Sequence, residues 1–147
     1  MITFKEVDKD FLELYDKVTI NVDVYSEYKV NRINNGLGGF ILEEIKVEPY
    51  IKDLSIYERA TEYENEFDIT NWRFYMAFND DIPVGAMTIV GKKDGYQQMI
   101  IECQNNNVQA CKFYQKQGAV LSKIDMYAYY LEPEIRNEIQ FVWYLDI

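Results

Sequence analysis

Glu102-Cys103-Gln104-Asn105-Asn106-Asn107-Val108-Gln109-Ala110-Cys111-Lys112-Phe113-Tyr114-Gln115-Lys116-Gln117-Gly118 is the stretch on which the reading of the fold turns. It runs from a strand end through a polar turn into a helix and stops at a glycine. Ala110, Phe113, Tyr114 and Gln117 recur at helical spacing and share one face. An asparagine in front can accept a hydrogen bond from the free N–H groups of the first turn. Gly118 behind supplies the left-handed backbone on which helices commonly end. The spacing predicts a helix over 108–117, preceded by a strand over 96–103.

Toward the N-terminus the next clear unit is a hairpin. Residues 72–78 and 84–90 are rich in β-formers and flank Asn79-Asp80-Asp81, and both strands read as well buried. Gly91-Lys92-Lys93-Asp94-Gly95 then reads as a tight turn, because Asp-Gly readily takes the positive φ angles of a short reversal. Alternation over 2–7 predicts a first strand, and Asp8 or Asp10 can cap a short helix carrying Phe11, Leu12, Leu14 and Tyr15. Residues 20–35 read as irregular or weak strand ending in Asn34-Asn35-Gly36. A strand over 40–47 is expected to stop before Pro49, and a helix is expected from Ser55 to about Glu66. Beyond the helix, strands are predicted at 119–131 and 138–146, separated by Glu132-Pro133-Glu134.

The 147 residues suit one domain spanning 1–147, and a hydrophobic content of 48% is ample for a core. A formal charge of −10 repels phosphate backbones and anionic headgroups, so neither nucleic acid nor a membrane is expected as a partner, whereas a cationic ligand is attracted. The chain has no histidine, which excludes Ser-His-Asp and Cys-His catalysis and every histidine-ligated metal. Cys103 and Cys111 form no zinc pattern and read as reduced, packed thiols, so no metal is expected. Met1 to Asp10 lack the plan of a secretory signal, and no apolar run reaches the roughly 20 residues of a bilayer span, so a cytoplasmic location is expected.

The spacing Asn107-x-x-Ala110-x-x-x-Tyr114-x-x-x-Gly118 resembles the signature N-x-x-A-x-x-x-Y-x-x-x-G-F of the GNAT superfamily of N-acetyltransferases, with Ala119 in place of the phenylalanine. Within it, the run 102–114, the 72–89 hairpin and a strand expected at 127–130 look most similar to the streptothricin acetyltransferases. The resemblance implies an α+β fold, a mixed and mostly antiparallel sheet with flanking helices. It implies acetyl-CoA as co-substrate, and as acceptor a small cationic amine such as the β-lysine arm of a streptothricin-type antibiotic. Asn107, Ala110 and Tyr114 would contact the cofactor, and Tyr114 would be the general acid that protonates the departing thiolate. Glu102, and beside it Glu43 or Glu44, would be candidate carboxylates for the amine.

The sequence departs from the family in one place. Active members carry a central strand, a Q/R-x-x-G-x-G/A loop and a helix between the equivalents of 84–90 and 96–103, and this loop holds the pyrophosphate. Here only residues 91–95 connect the two, where such a unit needs roughly 30 residues. The other glycine cluster, Gly36 to Gly39, precedes a strand and reads as a turn. The expectation is a sheet contracted by loss of a central strand and helix, with the flanking strands closing as a hairpin. Two functions fit: an N-acetyltransferase or an internally deleted form of one, and a non-catalytic remnant that binds a protein partner or forms a homodimer by sheet-edge pairing.

Overall fold

The computed structural model describes residues 1–56, 59–90 and 97–147. In chain order the strands are β1 (Ile2–Val7), β2 (Asn21–Arg32), β3 (Phe40–Asp53), β4 (Arg73–Asn79), β5 (Ile82–Ile89), β6 (Gln98–Gln104), β7 (Val120–Asp125) and β8 (Gln140–Asp146). The α-helices are α1 (Leu12–Tyr15), α2 (Tyr63–Glu66) and α3 (Val108–Lys116). This is the mixed α+β architecture with antiparallel pairing that the sequence implied. The chain divides into two compact units, Met1–Val22 with Lys52–Gly95, and Asp23–Ile51 with Tyr96–Ile147.

The first unit is built on the antiparallel sheet β1-β4-β5. Asp80 and Asp81 turn the β4–β5 hairpin with φ of 46° and 68°, the conformation that matches the twist of two paired strands. Phe74, Met76 and Phe78 of the central strand β4 are buried, as expected. β5 is not: it is the terminal strand of this sheet and has no fully buried residue. Asp8 accepts from the Asp10 amide and starts the turn into α1, whose Leu12 packs with Ala60 and Phe74. Tyr15, Tyr63 and Trp72 surround that cluster. The helix expected from Ser55 is much shorter. Its regular part begins at Ala60, where Asp16, 44 residues earlier, accepts from the Ala60 amide at 2.7 Å and thereby fixes the start. Tyr57 and Glu58 of that expected helix lie outside the described residues.

The second unit holds the antiparallel sheet β6-β8-β7. Residues 23–51 enter it from a two-stranded ribbon, β2 with β3. Where the sequence read as weak strand, β2 runs for 12 residues, and β3 continues through Pro49 for 14. In a two-stranded ribbon each strand has a free edge, and a residue without an N–H is tolerated there. The turn between them uses Asn34, Asn35, Gly36 and Gly39 at positive φ, and a Cβ on Gly38 would stand 2.5 Å from the Ile33 side chain. The glycine cluster is therefore a hairpin turn and does not open a helix.

Val30, Cys103, Cys111, Ala119, Phe141 and Trp143 form the core of this unit, with Phe141 fully buried. The strand expected at 119–131 ends at Asp125, because the Asp125 carboxylate captures the Tyr127 amide at 3.0 Å and bends the chain. Residues 127–130, expected as strand, are turns, with the Tyr130 amide donating to the Tyr127 carbonyl. The hairpin expected between β5 and β6 does not form among the described residues. β5 closes one sheet and β6 another, because β6 takes β8 as its partner from Gln98 to Gln104. The turn at 91–95 lies outside the described residues.

Candidate functional site

The motif folds locally as its spacing demands. Asn107 caps α3, its Oδ1 accepting from the Ala110 amide at 3.1 Å, and its carbonyl accepts from Cys111. Gly118, at φ 93°, ends the helix. Asn107 and Ala110 are thus tied to each other through the cap. Tyr114 is half-buried at the end of the face that packs on the core, with its ring 6.2 Å from that of Trp143 at 61°. Burial is the largest cause that raises its pKa above an ordinary tyrosine, and Cys103 and Cys111 add to it. A phenol so placed keeps its proton at neutral pH.

Glu102 stands elsewhere. In β6 the side chains alternate, and Cys103, paired with Phe141, faces the core that α3 covers. Glu102, exposed and paired with Val142, and Gln104 point to the opposite face of the sheet. The structure therefore joins Asn107, Ala110 and Tyr114 around α3 and sets Glu102 across the strand from them.

On the Glu102 side the fold gathers residues that the sequence did not single out. Gln104 Nε2 donates to the Tyr129 hydroxyl at 3.4 Å, and Asn106 Nδ2 donates to the Tyr50 hydroxyl at 3.1 Å and to Glu138 at 3.0 Å. The pKa of Tyr50 and that of Tyr129 are both raised, chiefly by burial. The charges of Glu138 and Glu27 add to the shift at Tyr50, and those of Glu102 and Glu138 at Tyr129, while the side-chain amides that donate to the two phenols oppose it. Three carboxylates thus make a negative field around two phenols, a field suited to a cation. The buried Asn106 Oδ1 accepts no hydrogen bond among the described residues.

Asn105 is the hinge of this arrangement. Its amide donates to the Ile139 carbonyl and its Oδ1 accepts from the Ile139 amide. Its carbonyl accepts from the Tyr28 amide, and its Nδ2 donates to the Tyr28 carbonyl. Buried within the turn after β6, it ties β2 to the start of β8. The sequence marks it only as one of three asparagines in a polar turn, and its partners lie 77 and 34 residues away.

Of the alternative carboxylates, Glu44 is committed: it accepts from Lys112 at 2.7 Å and from Ser26 at 2.8 Å. The Lys112 ammonium, ahead of the Ser26 hydroxyl, holds its pKa below the usual carboxylate range. Glu43 is exposed. Among the described residues there is no cluster of three or more potential metal ligands, and no helix long and apolar enough to cross a membrane.

The fold these elements define is that of the acetyltransferases. Over its full length the chain superposes with a TM-score of 0.75 on a protein described as a streptothricin acetyltransferase from Bacillus anthracis, crystallised with acetyl coenzyme A. The match covers 100% of both chains at 19% identity. A nourseothricin acetyltransferase matches with the same TM-score at 15% identity, covering 99% of this chain and 98% of that one. In sequence, 44 residues are 43% identical to a streptothricin acetyltransferase of Escherichia coli. That match covers 30% of this chain and 25% of the relative, so it spans a quarter of the curated protein. No protein-family profile matches the chain.

Proposed function

We propose that this chain is an N-acetyltransferase that moves an acetyl group from acetyl-CoA to a primary amine of a small cationic substrate of the streptothricin class. The observation that carries the reading is the full-length likeness to a fold crystallised with acetyl coenzyme A, with the Asn107–Gly118 motif built in it as a capped helix. The neutral amine attacks the thioester carbonyl and a C–N bond forms; as the C–S bond breaks the Tyr114 phenol gives its proton to the leaving sulfur, and the proton that the nitrogen sheds passes to water, which restores the phenol. Asn107 and Ala110 line the cofactor arm at the helix entrance. The field of Glu102, Glu138 and Glu27 receives the cationic end of the acceptor.

The test is product mass after incubation with acetyl-CoA and a streptothricin: a gain of one acetyl group is expected. Tyr114→Phe lowers kcat by about 100-fold or more while leaving acetyl-CoA affinity nearly unchanged. Equal turnover by this variant removes Tyr114 from the mechanism.

One observation favours a second reading, a remnant that folds without the reaction. β5 and β6 are terminal strands of their sheets, and no glycine-rich loop precedes a helix among the described residues. In this reading the central strand and pyrophosphate loop are missing and an exposed edge pairs with a protein partner or a second copy. A monomer that acetylates the antibiotic contradicts it.

A further inference from the structure

We propose that Cys103 and Cys111 are a built dithiol, a modification site in which peroxide closes an intramolecular disulfide between the end of β6 and α3. The two Sγ atoms stand 3.5 Å apart in the core of the second unit. A disulfide needs about 2 Å, so the two sulfurs have only about 1.5 Å further to approach. One residue comes from a strand and the other from the helix that follows it, and between them lies only the turn of Asn105, Asn106 and Asn107. That turn is fixed by the four hydrogen bonds of Asn105 and by the Asn107 cap, which hold the two thiols face to face.

Two further observations separate this pair from inert packed thiols. The indole N–H of Trp143 is buried and finds no hydrogen-bond partner of ordinary geometry among the described residues, and it lies close enough to Cys103 to favour its thiolate. A buried donor without an acceptor is costly, and a thiolate beside it supplies one. In addition, Cys111 and Trp143 line a cavity of about 390 Å³ together with Tyr28, Leu42 and Ala119, which places open space on the Cys111 side of the pair. Within the pair one thiol donates to the other, and the shared contact holds the Cys103 pKa down while it and burial push that of Cys111 well up.

The chemistry balances with hydrogen peroxide as oxidant. One thiol of the pair sheds its proton and attacks one peroxide oxygen, the O–O bond breaks, that sulfur becomes a sulfenic acid, and the departing hydroxide takes up the proton and leaves as water. The second thiol then attacks that sulfur, the S–S bond forms, the S–O bond breaks, and the departing hydroxide takes the second thiol's proton and leaves as a second water. Two thiols are oxidised, and one peroxide is reduced to two waters.

The inference does not depend on the acetyltransferase reading. It is tested by titrating the folded, reduced chain with hydrogen peroxide and mapping peptides by mass without reduction. The expected result is loss of two hydrogens from the monomer, a linked peptide containing Cys103 and Cys111, and reversal by dithiothreitol. Under the same treatment neither Cys111→Ser nor Cys103→Ser gives a linked peptide within the monomer, and dimedone traps a sulfenic acid on the remaining cysteine in at least one of the two. Wild-type chain in which both thiols still titrate after denaturation, or in which the cysteines link only between chains, overturns the proposal. Because the wild-type map alone decides it, a failure of either variant to fold does not shield the inference.

Discussion

In the unit formed by 1–22 and 52–95, Leu12, Ala60 and Phe74 come from three separate stretches, and Asp16 holds Ala60 in place from 44 residues away. In the other unit, Cys103, Cys111 and Ala119 of the core all come from one short run, which also carries the cap and the helix stop. Half of this core is thus written locally, with Val30, Phe141 and Trp143 brought to it from β2 and β8, whereas the other core rests only on long-range pairing. The local half brings the functional motif with it, because the residues that cap and pack α3 are the ones proposed to meet the cofactor.

The comparison breaks most severely at Phe141, which has no exposed surface. Phe141→Ala should cost about 3–5 kcal/mol, read by denaturant unfolding, with hydrogen-exchange protection lost first in β6, α3 and β8. Equal loss of protection in β1 and β4 would mean that the two units unfold as one. Asn105→Ala leaves the Ile139 amide and the Tyr28 carbonyl without their side-chain partner and should cost about 2 kcal/mol. Its counterpart in the other unit, Asp16→Ala, should cost about 1–2 kcal/mol, with protection lost at Ala60 and Thr61. Asn107→Ala should cost about 1 kcal/mol as a lost helix cap, and Asn107→Ser should restore most of it.

The smallest effect is expected at Glu44 and Lys112. Glu44 has its pKa lowered in the folded chain, so its contribution is present above the unfolded value near 4.5 and fades as pH falls through the lower folded value. Lys112 has its pKa raised, so its contribution holds below the unfolded value near 10.5 and is lost as pH rises through the higher folded one. Between those limits this exposed pair gives no slope, and because each partner causes the other's shift, Glu44→Gln should remove both the small acidic and the small alkaline contribution of the pair.

What the sequence made legible follows the same division. The α3 cap, helix and glycine stop could be read because each signal acts within a few residues. The β4–β5 hairpin was legible for the same reason, since Asp80 and Asp81 carry the turn. β2 was underestimated and β3 cut short at Pro49 because a strand's length is set by its partner, and the partner is invisible to local propensity. The residues 127–130 misled in the opposite direction: their aromatics favour a strand, but the Asp125 carboxylate ends the ladder. At the candidate site, Asn107, Ala110 and Tyr114 carried a motif and could be found. Tyr50, Tyr129 and Glu138 carried none, and only the fold brings them near Glu102.

The central claim, that the α3 motif still serves acetyl-CoA in this chain, is tested most directly by calorimetric titration of the 147-residue protein with acetyl-CoA. Saturable one-to-one binding is expected, tighter than that of a nucleotide lacking the pantetheine arm at the same concentration. No heat of binding from folded protein of full mass would contradict it, and would leave the fold as an acetyltransferase frame without its reaction.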